Sequence, residues 1–224
     1  KLGKEIQVAA REGPDPNFNF KLRLMVDKAK AANMPRDNIE RAIRRGAGLE
    51  KGAAELEENM YEGYGPHGVA IMVSVLTDNR NRAVAEIRKV LTRAGGSLGE
   101  AGCVGWLFDQ KGLLTFPTNV GDPDELMMTA IDAGAADVDV SEDEVEVYTE
   151  PTELAMVRDA LQSAGVEVET FELTMEPKTK VDLDDDATIK TLHLIENLEE
   201  LEDVQNVYHN LEVSDAVWQK MEDE

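Results

Sequence analysis

The run Val69-Ala70-Ile71-Met72-Val73-Ser74-Val75-Leu76 constrains the fold of this chain more than any other segment. It is apolar and β-branched almost throughout, with no polar alternation, and so reads as a buried strand. Met60-Tyr61-Glu62 leads into it through Gly63-Tyr64-Gly65-Pro66-His67-Gly68, which predicts strand, tight turn, strand. A helix follows Thr77-Asp78-Asn79, from Arg80 to Arg93, with Val84, Ile87, Val90 and Leu91 facing inward and Gly95-Gly96 closing it. Two short strands are expected around Val104–Asp109 and Leu113–Phe116, joined at Lys111-Gly112. This β-α-β-β order lacks one helix and one strand of a split βαβ sandwich.

The missing pair is found far downstream. Residues 187–201 place Ile189, Leu192, Ile195, Leu198 and Leu201 at helical spacing, and Val204–His209 reads as a strand. Between Pro117 and that helix, a helix near Pro123–Ala133, strands near Ala136–Val140 and Glu144–Tyr148, a helix near Pro151–Ala164 and a strand from Val166 to Met175 form a second small unit. Ahead of everything lie three short helices. Leu2, Ile6 and Ala9 or Ala10 line the first, which Gly13-Pro14-Asp15-Pro16 ends; Leu22, Met25, Val26 and Ala29 line the second; Pro35 opens the third, which ends at Gly46. The expected fold class is α+β in three domains: a basic helical bundle over 1–58, a discontinuous ferredoxin-like domain over 59–118 and 180–224, and an acidic α+β domain over 119–179 inserted in it. Residues 47–58 read as a linker or domain edge.

Charge divides the chain in the same direction. The net charge is −23, yet residues 1–93 hold 17 Lys plus Arg against 13 Asp plus Glu, while residues 94–224 hold 6 against 33. An acidic average argues against a nucleic-acid partner, whereas a basic first part argues that this end meets an anion and the remainder supplies solubility and repulsion. Arg41, Arg44 and Arg45 lie opposite the apolar side of the third helix, made of Ile39, Ala42 and Ile43. On the Arg80–Arg93 helix, Arg82, Lys89 and Arg93 share a stripe with Glu86, and Arg80 and Arg82 stand at the amino end, where the helix dipole disfavours cations. A phosphate would relieve that strain; a pairing of Glu86 with Arg82 and Lys89 is the plain structural reading. The candidate phosphate-binding set is Lys21, Arg23, Lys28, Arg36, Arg41, Arg44, Arg45, Arg80, Arg82, Lys89 and Arg93.

Other chemistry finds little support. Gly63-x-Gly65-x-x-Gly68 matches the dinucleotide fingerprint literally, but a strand follows it where that motif needs a helix. Asp182-x-Asp184-x-Asp186 begins like a calcium loop, then has Ala187 at the glycine position and His193 at the place of the bidentate Glu, which leaves a solvated acidic linker. His67, His193 and His209 lack metal-ligand spacing, and none stands in a nucleophile motif. Cys103, alone in the chain, can form no internal disulfide. The expectation is no enzyme, no cofactor, no metal, no membrane segment and a cytoplasmic location.

Longer stretches carry a resemblance. Gly13-x-Asp15-Pro16, the run Ala31-Ala32-Asn33-Met34-Pro35-Arg36-Asp37-Asn38-Ile39-Glu40-Arg41-Ala42-Ile43-Arg44-Arg45-Gly46-Ala47-Gly48, then Tyr61-Glu62-Gly63-Tyr64-Gly65-Pro66, Thr77-Asp78-Asn79-Arg80-Asn81-Arg82 and Leu201-Glu202-Asp203-Val204-Gln205-Asn206-Val207-Tyr208-His209-Asn210 resemble the YebC family of probable transcriptional regulators, over essentially the whole chain. The resemblance implies a three-domain α+β protein of the bacterial cytoplasm, with mitochondrial relatives that activate translation. It implies DNA as partner, or ribosomal RNA and the ribosome, and brings no catalytic residues. Family members begin with a segment rich in Lys, Arg and His, which this sequence, starting at Lys1, is expected to lack; Ala83 stands where the family often has threonine.

Overall fold

The computed structural model describes residues 1–50, 56–118, 121–141 and 144–222, so the expected linker lies partly outside the described residues. Helices α1 (Leu2–Ala9), α2 (Phe20–Ala31) and α3 (Arg36–Gly46) form the bundle around Ile6, Leu22, Ala29, Ile39 and Ala42. A buried asparagine stitches its first loop. The Asn19 side chain accepts from the Leu22 amide as the cap of α2 and donates to the carbonyls of Ala9 and Gly13, so it holds the end of α1 against the start of α2.

The middle domain is an antiparallel sheet of β1 (Glu57–Tyr64), β2 (Ala70–Thr77), β3 (Ser97–Leu98) and β8 (Val204–His209), in the order β3-β1-β2-β8. Strand β2 sits at its centre because its residues are apolar on both faces; all but Ser74 are buried. Helices α4 (Arg80–Arg93) and α7 (Asp185–Glu199) cover one face, placing Ile87, Leu91, Ile195 and Leu198 on Ile71, Val73 and Val75. Thus chain on either side of an inserted segment completes a single core. The fully buried ridge of α4 is Ala83, Ile87 and Leu91, whereas Val84 and Val90 are only half-buried. Ala83 is a packing position rather than a cap, since Asn79 supplies the cap. The Gly65–Gly68 segment is a hairpin turn with positive φ at His67 and Gly68. Asp184 caps α7 by accepting from the Ala187 amide, so part of the acidic run is helix cap. A short helix that sequence periodicity did not suggest, α8 (Asp215–Glu222), adds Val217 to this core.

The second sheet corrects the expected boundary. Val104–Phe116 does not form two strands of the middle domain. Instead β4 is one continuous strand, Phe108–Pro117, lying between β6 (Glu144–Thr149) and β7 (Thr170–Pro177), with β5 (Asp137–Val140) beyond β6. Lys111-Gly112 is therefore no turn. A Cβ at Gly112 would lie 2.3 Å from Thr149 Oγ1 and 2.9 Å from Leu154 Cβ, so the glycine marks a close approach of helix to sheet. Helices α5 (Pro123–Asp132) and α6 (Leu154–Ser163) cover the same face, closing a core of Leu114, Phe116, Leu126, Val147, Val157 and Leu161. The chain divides into two compact units, 1–104 with 181–224, and 105–180.

Candidate nucleic-acid interface

Helices α1 and α3 cross closely because Gly46 has no side chain; a Cβ there would stand 2.0 Å from the carbonyl oxygen of Gln7. Beside the crossing runs a groove of about 190 Å³, lined by Gly3 and Gln7 of α1, Met34, and Asn38, Arg41, Ala42 and Arg45 of α3. Positions 38, 41, 42 and 45 are spaced to share one helical face. The sequence pattern of single helices holds no Asn, Gln and Arg set of the kind that reads bases. The groove brings Gln7 of α1 beside Asn38, Arg41 and Arg45 of α3, and Gln7 could not have been identified from the pattern of α3 alone.

The cations of α3 differ in how free they are. Arg41 is exposed and has no hydrogen bond or ion pair among the described residues. Arg44 and Arg45 both reach Glu50, at 3.7 and 2.9 Å, so one carboxylate serves two guanidinium groups and a positive charge is left over. Arg36 pairs with Glu40 at 2.8 Å, but both side chains are more than half exposed and such pairs contribute little. On α2, Lys21 and Lys28 have no ionic partner among the described residues, while Arg23 donates to the backbone carbonyls of Pro16 and Asn17 and keeps its charge. None of these three α2 residues lines the groove.

Helix α4 gives a correction. Arg82 does not turn to Glu86, nor does it stand free for a phosphate. Its Nη2 lies 2.8 Å from Asp203 Oδ2 and 3.1 Å from Asp78 Oδ1. The Asp203 side chain is 2% exposed and also accepts from Lys4 Nζ of α1 and, at 2.9 Å, from the hydroxyl of Thr77. The dipole strain at the amino end of α4 is thus relieved inside the molecule, by acids that stand one residue before the cap and 121 positions downstream. Burial by itself would raise the Asp203 carboxyl, but the hydrogen bonds from Lys4, Arg82 and Thr77 outweigh it and hold the group below its ordinary 3.8. The same pairing raises Arg82. Lys4 and Asp203, absent from the candidate set, join the bundle to the middle domain, beside a hydrogen bond from Lys1 to the Glu199 carbonyl. Arg80, Lys89 and Arg93 remain exposed and unpaired among the described residues.

Comparison with known proteins agrees with this architecture. Residues 1–49 match the family described as the TACO1/YebC protein N-terminal domain, and residues 56–211 match the TACO1/YebC second and third domain. The chain belongs to the TACO1/YebC family. A probable transcriptional regulatory protein of Herpetosiphon aurantiacus is 54% identical over 98% of this chain and 88% of its own length. One of Roseiflexus castenholzii, named alike, is 52% identical over 96% of this chain and 86% of its own. The crystal structure of a conserved hypothetical protein of Aquifex aeolicus superposes with a TM-score of 0.87 at 45% identity, covering 96% of this chain and 88% of that one. Among the described residues, no helix is long and apolar enough to cross a membrane and no cluster of His, Cys, Asp or Glu is arranged to hold a metal ion.

Proposed function

We propose that this protein is a non-catalytic regulator of gene expression in the cytoplasm that binds DNA through the basic face of α3, centred on Arg41. The observation that carries the reading is the unneutralised guanidinium of Arg41 at the mouth of a groove that also presents Gln7, Asn38 and Arg45. Arginines position a phosphate backbone, and side-chain amides add contacts to sugar or base edges. Lys21 and Lys28, and on the middle domain Arg80, Lys89 and Arg93, supply further sequence-independent attraction. Arg82 has no part in it. The names of the relatives in Herpetosiphon and Roseiflexus support the regulatory role.

A second reading has its own observation. Residues 94–224 balance at −27, which a DNA duplex offers nothing to attract, whereas a ribosome presents basic proteins beside its RNA. In that reading the same cations hold ribosomal RNA. Fluorescence anisotropy with a labelled DNA duplex and a labelled RNA hairpin tests the shared face: Arg41→Glu with Arg45→Glu should weaken both at least tenfold. Unchanged affinity for both polymers would exclude it. Sedimentation of tagged protein through sucrose gradients, with and without ribosome-dissociating conditions, separates the two targets, because a DNA-bound regulator does not follow ribosomes.

A further inference from the structure

The second sheet has one face under α5 and α6 and one face turned away from them, and alternation assigns residues to each. Val145 and Val147 of β6, Leu114 and Phe116 of β4, Phe171 of β7 and Val138 of β5 pack toward the helices. The alternate positions, which face away, are Asp137 and Asp139 on β5, Glu144 and Glu146 on β6, Thr115 on β4 and Glu176 on β7. The register places Glu146 opposite both Asp139 and Thr115. Lys111, the basic residue of this face, is tied to Glu150. Tyr148 stands among the carboxylates and donates to Glu146 at 2.8 Å. Burial, followed by Glu146, Glu176 and Asp139, pushes its phenol well above the ordinary value, so acids from three strands act on one point.

A second observation is independent of this charge. Thr115 is 4% exposed, and its hydroxyl has no hydrogen-bond partner at the centre of the face. Buried polar groups are nearly always satisfied, so an orphan of this kind points to a group that arrives from outside. The carboxylates are spread along strands rather than gathered round a point, and no metal-holding cluster exists among the described residues. That spacing suits an extended polycation better than an ion.

We propose that the face of this sheet turned away from α5 and α6 is a docking surface for a Lys- and Arg-rich segment of a partner protein, with the Thr115 hydroxyl accepting a hydrogen bond from it. The surface requires no nucleic acid and uses none of the α3 residues. The test uses the full chain and a fluorescein-labelled peptide of alternating arginine and serine, followed by anisotropy. The triple variant Asp137→Asn, Asp139→Asn, Glu146→Gln should weaken binding at least tenfold. A control removing equal charge from α7 and its C-cap, Asp186→Asn, Glu196→Gln, Glu200→Gln, should change it less than twofold. Thr115→Val keeps the charge and removes the orphan hydroxyl, so it should weaken binding about threefold while raising the melting temperature. Equal losses in both triples would mean attraction to net charge alone and would overturn the proposal. So would unchanged affinity in Thr115→Val. DNA affinity of the triple should stay at the wild-type level, which keeps this test separate from that of α3.

Discussion

Helices α3 and α4 both carry several basic residues on an amphipathic frame, yet the structure uses them differently. On α3, Arg41 faces solvent without a partner among the described residues, and Arg44 and Arg45 share Glu50. On α4, Arg82 is fixed to a buried carboxylate that also holds Lys4 and Thr77. Charge pattern along a helix therefore identifies where cations stand but not what they answer to. The deciding group for Arg82 is Asp203, which no local pattern links to it.

Four measurements break or sharpen that contrast, beginning with the largest effect. Gly46→Ala puts a Cβ into the backbone of Gln7, and with no flexible side chain to yield it should cost about 3 kcal/mol in urea unfolding, together with the groove. A loss under about 0.5 kcal/mol would show that α1 and α3 do not need their close crossing. Asp203→Asn should cost about 2 kcal/mol, because three donors lose a charged acceptor while Lys4 and Arg82 can turn to water. Its DNA affinity should be unchanged.

The pH dependence of that difference follows from the sign of the shift. The folded-state pKa of Asp203 is depressed, so the stabilisation is fully present above its ordinary 3.8 and disappears as pH falls through the lower folded value. The stability gap between wild type and Asp203→Asn should be flat from pH 7 to pH 5 and shrink below 3.8. A gap that narrows already between pH 7 and 5 would place the titrating group elsewhere. Arg44→Gln should have the smallest effect, a two- to threefold loss of DNA affinity, since Glu50 already takes part of its charge.

Much of the fold was legible because its signals are local. The apolar run of β2 and the Arg80–Arg93 periodicity each specify an element from a few adjacent residues. The return of α7 and β8 to the middle sheet could be inferred from an incomplete β-α-β-β order, and the return holds although the last two strands of that order are β4 of the other sheet. The place of β4 could not, since Gly112 reads identically as a turn residue and as a site of close helix packing, and only Leu154 on a distant helix decides between them. The site divides likewise: exposure of Arg41 follows from helix geometry, while the capture of Arg82 and the entry of Gln7 into the groove depend on residues far away in the chain.

The salt dependence of DNA binding tests the central claim most directly, measured for the wild type, Arg41→Gln and Arg82→Gln, all checked to be folded. Each phosphate of B-form DNA that a protein ceases to neutralise lowers the slope of log K against log salt by about 0.9. Arg41→Gln should show that decrease and Arg82→Gln should keep the wild-type slope. A wild-type slope in Arg41→Gln, or a flattened one in Arg82→Gln, would contradict the division of labour between these two arginines.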